Sequence, residues 1–148
     1  MAGHTLTYHR VLRAPAERVY RAFLDPAALV KWMSPNGFTA TVHEQDARVG
    51  GGYRISFTNF CSGGSHSFGG RYLELVPGER IVHTDAFDDS NLPGEMVVTV
   101  EFKTVSCGTD LTITQVGVPE VVPAEACHLG WQESLALLAL LVEAEIPA

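Results

Sequence analysis

The sequence predicts an α+β protein, an antiparallel sheet with its helices on one face, and three observations carry that prediction. From Phe38 to Val116 the chain reads as strand, turn, strand, with no helical period in between. Two short helical segments precede that run, and one long apolar segment, GWQESLALLALLVEAEIPA, follows it. Strands in series with a separate helix at the end argue for segregated layers and against alternating βαβ units.

His4 to Arg13 alternates Leu6, Tyr8 and Leu12 with Thr5, Thr7 and His9, the period-two pattern of a half-buried strand. Ala14-Pro15 stops it, and Pro15 suits the first position of a helix, where a missing N–H costs nothing. That helix sets Val19, Tyr20, Phe23 and Leu24 on one side and Glu17, Arg18 and Arg21 toward the other. Asp25-Pro26 ends it and caps a second short helix, which presents Leu29, Trp32 and Met33 together before Ser34-Pro35-Asn36-Gly37 closes it.

The next strands are Thr39 to Ala47 and Tyr53 to Thr58, joined through Gly50-Gly51-Gly52, and a long polar loop from Asn59 to Ser65 follows. His66 to Val76 and Arg80 to Phe87 form a hairpin around Pro77-Gly78, with Pro suited to position i+1 and Gly to i+2 of the turn. Asp88 to Glu95 is a second loop. Met96 to Thr104 and Leu111 to Val116 are the last strands, joined by Ser106-Cys107-Gly108-Thr109-Asp110. The count is about seven strands in one domain spanning 1–148, a length that fits a single core.

On the terminal helix, steps of about 100° gather Cys127, His128, Trp131, Leu135, Leu138 and Val142 on one arc, with Glu125, Gln132 and Glu143 on a narrow polar one. Leu129, Leu137 and Leu140 fall beyond the polar stripe, where a flat sheet would leave them wet. Two explanations stand side by side: a curved sheet that wraps more than half of the helix, or a homodimer contact.

Composition narrows the function classes. The chain is 46% hydrophobic and 18% charged, ordinary for a globular protein, and its net charge of −7 speaks against nucleic acid or an anionic membrane as partner. The N-terminal MAGHTLTYHR has no apolar core of a signal peptide, so a cytoplasmic location is expected. The apolar run near the C-terminus falls short of the roughly 20 residues needed to cross a bilayer. Cys61, Cys107 and Cys127 are odd in number with no C-x-x-C spacing, which indicates neither a disulfide framework nor structural zinc.

Four segments in order resemble a known family: RVLRAPAERVYRAFLDPAALVKWMSP, RVGGGYRISF, FGGRYLELVPGERIVHTDAF and HLGWQESLALLALL. They resemble the START-like superfamily, in the branch related to the C-terminal domain of the activator of heat-shock protein 90 ATPase. The resemblance covers nearly the whole chain. It implies a helix-grip fold, in which a curved antiparallel sheet closes around the C-terminal helix and leaves an apolar cavity between them. It also implies that Trp32 and Met33 lie near one end of the cavity and that Trp131, Leu135 and Leu138 form its helical wall. Members range from carriers of hydrophobic molecules through polyketide cyclases to co-chaperones, so function must be argued from the site.

From Arg80, which faces water after the turn, alternation directs Ile81, His83, Asp85 and Phe87 inward. His83 and Asp85 thus form a polar pair on the inner face, either a satisfied structural pair or a general acid–base. His66 and His128 are further candidates for the same pocket, but no close-spaced ligand set such as H-E-x-x-H is present, so no metal or other cofactor is expected. GGGYR joins two strands and lacks the helix and the G-K-[ST] ending of a phosphate loop. Cys127 and His128 are neighbours on a helix and point about 100° apart, which argues against a nucleophile–base pair.

Phe57, Phe68, Phe87, Met96, Val98, Val100 and Phe102 alternate inward, as core or as cavity lining. The expected ligand site is therefore Trp32, Met33, Phe57, His66, Phe68, His83, Asp85, Phe87, Val100, His128, Trp131, Leu135 and Leu138. The function expected is non-catalytic binding of a small hydrophobic molecule. One alternative is a cyclase or hydratase-like enzyme using His83 and Asp85; another is a co-chaperone-like interaction module.

Overall fold

The computed structural model describes residues 3–148, so Met1 and Ala2 of the expected domain lie outside the described residues. Seven antiparallel strands form one sheet in the order β1-β7-β6-β5-β4-β3-β2: β1 His4–Leu12, β2 Phe38–Gln45, β3 Gly52–Asn59, β4 Ser65–Val76, β5 Arg80–Phe87, β6 Met96–Val105 and β7 Gly108–Val118. Strands β2 to β7 succeed one another as hairpins, and β1 returns to pair with β7. Helices α1, Ala16–Leu24, and α2, Pro26–Trp32, carry the chain from one sheet edge to the other; α3, Ala124–Val142, packs on the concave face. This is the helix-grip α+β fold.

Alternation makes the inner face. Leu6, Tyr8 and Leu12 of β1 are buried, as are Met96, Val98, Val100 and Phe102 of β6 and Leu111 and Ile113 of β7. The turn after β4 is built as its residues require: Glu79 N donates to Val76 O at 2.9 Å, and Gly78 has a φ of 72°. Asp25 caps α2 by accepting from Ala27 N at 2.9 Å, with Pro26 at the first helical position.

Most strand ends shift by one or two residues from the sequence expectation, and two boundaries differ in a way that matters for packing. Pro15 is the N-cap of α1 and not its first residue. Gly108, Thr109 and Asp110 extend β7 and are not loop, because Thr109 is fully buried and its hydroxyl donates to Ala14 O at 2.7 Å, which ties the hairpin to the end of β1.

Sheet curvature has a local cause at β4. Gly69 pairs with Ala86 and Tyr72 with His83, but no ladder pair is formed between them, and the register shifts before Glu74. A Cβ on Gly70 would stand 2.0 Å from Thr84 O, so only glycine permits this approach of β4 to β5. The Arg71 N–H donates to the Thr84 hydroxyl at 2.9 Å in place of a ladder bond.

The flank of α3 does not follow from curvature alone. Leu137 is half-buried against the core, whereas Leu129 and Leu140 remain 60% and 75% exposed. No helix among the described residues is long and apolar enough to cross a membrane.

Candidate functional site

Between the concave sheet and the N-terminal half of α3 lies a cavity of about 340 Å³. Its walls are mostly apolar: Phe57, Phe68, Phe87, Met96, Val98 and Val100 from the sheet, Met33 and Leu29 from α2, and Trp131 from α3. His66 and Ala126 line it while remaining exposed, which marks the rim. His66 stands edge-on to Phe38 and Phe57, with ring centroids 6.2 and 5.8 Å away.

Of the residues expected from the sequence, Met33, Phe57, His66, Phe68, His83, Asp85, Phe87, Val100 and Trp131 line this cavity. Trp32, Leu135, Leu138 and His128 do not. Trp32 is fully buried: its Nε1 donates to Ala22 O at 2.9 Å and its ring packs edge-on to Phe23 at 4.8 Å. It seals α1 against α2, and Phe23 takes the place on the cavity wall. Leu135 and Leu138 have the right helical face but the wrong height, since they are packed solid in the core beyond the cavity. His128 is exposed on α3 and meets the edge of Tyr8, at 4.9 Å between centroids, so it is not on the inner arc.

One end of the cavity is polar, and β3, β4 and β5 supply it. Tyr53 Oη lies 2.9 Å from Asp85 Oδ1, 3.0 Å from Thr84 O and 3.1 Å from His83 Nδ1. Its single proton goes to the carboxylate, the strongest acceptor of the three. His83 Nδ1, 2.8 Å from Thr84 O, therefore carries a proton and donates it there, leaving Nε2 as the acceptor of a neutral ring. Behind them Gln45 Nε2 donates to the Tyr72 hydroxyl at 2.9 Å, and the buried Gln45 Oε1 has no partner.

Burial dominates the electrostatics of this group. It pushes the Asp85 carboxyl up from 3.8 to about 7, against the opposing hydrogen bonds from Tyr53 and the Ala86 N–H. Burial also lowers the His83 imidazole, partly offset by its bond to Thr84 O, and raises the Tyr53 hydroxyl strongly, helped by the nearby Asp85 charge. The small accessible surface that His83 and Asp85 retain faces the cavity. A carboxyl poised near neutrality beside a neutral imidazole can exchange a proton with a bound molecule.

A second polar spot lies two strands away. The Tyr8 hydroxyl donates to Gln115 Oε1 at 2.8 Å, next to Cys127. Burial raises the Cys127 thiol, so it rests protonated, the opposite of an activated nucleophile. His66, His83 and His128 are not brought together, and no cluster of three metal-ligating side chains occurs among the described residues.

Sequence reasoning missed Tyr53, Tyr72, Gln115, Gly130 and Ser134 as cavity residues. Alternation on β3 and β4 held the signal for the two tyrosines, which share their face with Ile55 and Phe68. Gly130 is informative in a different way: a Cβ there would meet nothing within 4 Å, so this turn of α3 is bare toward the cavity.

Comparison with known proteins places this geometry. Protein CV1439 from Chromobacterium violaceum is 60% identical in sequence and superposes with a TM-score of 0.94, covering 95% of this chain and 98% of its own. A protein from Rhodobacter sphaeroides matches at 26% identity and a TM-score of 0.84, covering 95% of each chain. An AHSA1-like protein from Aeromonas hydrophila, 20% identical with a TM-score of 0.77 over 95% of this chain and 92% of its own, shares the fold. None of the curated proteins matches the chain. The family model for "Activator of Hsp90 ATPase homolog 1-like protein" matches residues 13–143. This span runs from the end of β1 to the end of α3, and the chain belongs to that family, a branch of the START-like superfamily.

Proposed function

We propose that this protein binds a small, mainly apolar molecule in the cavity between the sheet and α3, without itself transforming it. The observation that carries the reading is the combination of about 340 Å³ of space, aromatic and aliphatic walls, and a few converging polar groups at one end. Transfer of apolar surface out of water supplies the affinity, at roughly 25 cal/mol per Å² before ordering costs. Tyr53, His83 and Asp85 fix the orientation of the bound molecule. A cytoplasmic setting is part of the proposal.

Native mass spectrometry of the purified protein tests it. A retained small molecule is expected on the wild type and is expected to be lost from Gly130→Leu, because a side chain at Gly130 projects into open space on the cavity wall. A wild type that retains nothing and takes up no apolar probe would overturn the reading.

A second reading has one specific support, the carboxyl at about 7 beside a neutral imidazole. In that reading Asp85 moves a proton on a bound polyketide-like substrate, as in a cyclase or hydratase. Turnover that survives His83→Ala and Asp85→Asn unchanged would remove it. An interaction module is favoured only by the family's description. Self-association through the exposed Leu129 and Leu140 also belongs to the proposal: a dimer mass by light scattering that reverts to monomer in Leu140→Lys supports it, and a monomeric wild type removes it.

A further inference from the structure

The walls of the cavity carry no lysine or arginine, and Asp85 is the only carboxylate among the lining residues. Nearly all net charge a ligand can meet there therefore resides on one side chain. We infer that the cavity is selective for a hydrophobic amine, whose apolar body lies among Phe57, Phe68, Phe87 and Trp131 and whose ammonium group sits against Asp85 and His83. The inference rests on the binding reading above and names the chemistry of its ligand.

Proton accounting leads to it. The Tyr53 hydroxyl spends its proton on Asp85, and His83 Nδ1–H spends its own on Thr84 O. What remains toward the cavity is acceptor capacity: the unused lone pairs of the Asp85 carboxylate and the Nε2 lone pair of His83. Among the described residues, Gln45 Oε1 is the sole buried side-chain N or O atom without a partner, so the open acceptors of His83 and Asp85 are reachable from the cavity. A head group that brings donors completes the site, whereas one that brings only acceptors meets lone pairs with lone pairs.

Charge points the same way. A carboxylic acid ligand would place its anion next to Asp85 with no lysine or arginine in the lining to neutralise either. The Gln115 amide, two strands from His83 and so roughly 10 Å away across the sheet, offers a neutral donor and cannot supply that charge. An ammonium instead gives the buried carboxylate the counter-charge it lacks, and such charge-assisted hydrogen bonds are about twice as strong as neutral ones.

The groups facing Asp85 include no lysine, arginine or second carboxylate. Tyr53 comes from β3, Tyr72 from β4 and His83 from β5 itself; His66 lies at the rim, and the side chains of Met96 and Val98 on β6 do not titrate. Gln115 on β7 and Cys127 on α3 are neutral. With the carboxyl pushed up to about 7, amine binding is expected to weaken on acidification as Asp85 takes up a proton.

Three probes of equal chain length, n-octylamine, 1-octanol and octanoate, separate the outcomes by titration calorimetry on the full chain. Octylamine is expected to bind at least about tenfold tighter than octanoate at pH 8, with its advantage over octanol shrinking as the pH is lowered to 6. Asp85→Asn is expected to erase that advantage, so that amine and alcohol bind alike. Octanoate binding as well as octylamine, or an amine preference that survives both acidification and Asp85→Asn, overturns the inference while leaving cavity binding in place. No binding of any of the three to the wild type overturns both.

Discussion

Asp85→Asn should make this protein more stable in neutral and basic solution and should flatten part of its pH dependence. In the fold the Asp85 carboxyl titrates at about 7, against 3.8 when free of the fold. Sign follows from linkage: between those values the folded state holds a proton that the unfolded state has released, so stability is greatest below about 4 and is lost as pH rises through 7. The interval is roughly three pH units, and at about 1.4 kcal/mol for each the burial of Asp85 withdraws up to about 4 kcal/mol at pH 8. Asparagine has the same shape, can accept from Tyr53, and carries no charge to desolvate. His83 works in the opposite direction, since burial lowers its pKa and protonation in the unfolded chain removes stability below its ordinary value. It is present in both proteins and cancels in their difference. Urea unfolding of wild type and Asp85→Asn at pH 5, 6, 7 and 8 is therefore expected to show a stability difference that grows in favour of the variant by about 1 kcal/mol per pH unit up to 7 and then levels off. A difference that stays constant across this range would refute the claim that burial holds the carboxyl high.

Other perturbations address the fold that surrounds the site. Gly130→Ala should raise stability by about 1 kcal/mol in thermal unfolding, because the helix gains alanine's propensity and the new methyl meets open space. Gly70→Ala should cost several kcal/mol and lower the melting temperature sharply, since its Cβ would lie 2.0 Å from Thr84 O. Leu138→Ala, at a fully buried position of α3, should destabilise by about 3–5 kcal/mol in urea while leaving probe binding in place, because Leu138 packs beyond the cavity.

Sequence pattern reads direction well and depth poorly, and this site displays both. Period-two alternation from the Pro77-Gly78 turn is enough to aim Ile81, His83, Asp85 and Phe87 at the interior, because side-chain direction on a strand is local. Helical phase likewise brings Trp131, Leu135, Leu138 and Val142 to one side of α3, yet only Trp131 of these borders the cavity. Position along the axis depends on where α1 and α2 dock, and the backbone links Asn36 N to Glu133 at 3.0 Å and Met33 O to the Ser134 hydroxyl at 2.7 Å fix that docking beside the cavity floor. Those are non-local pairings between residues about 100 positions apart, which no window of sequence contains.

The polar end was half legible for a related reason. His83 and Asp85 announce themselves as charged types on an apolar face, but alternation does not show what decides their protonation: Tyr53 comes from β3, and the Thr84 carbonyl is exposed to them by the gap in the ladder at Gly70 and Arg71. The run FGG in β4 looks like a weakness in a strand. Its physical role is the reverse, because the missing ladder pairs at Gly70 and Arg71 leave Thr84 O to accept the His83 Nδ1 proton within the wall, while the Tyr53 proton goes to Asp85. A full ladder at Gly70 and Arg71 would occupy Thr84 O and leave His83 Nδ1–H free to donate into the cavity, and the site would then lose part of its preference for donors. The glycines that bend the sheet thus also set the polarity of what the cavity can hold.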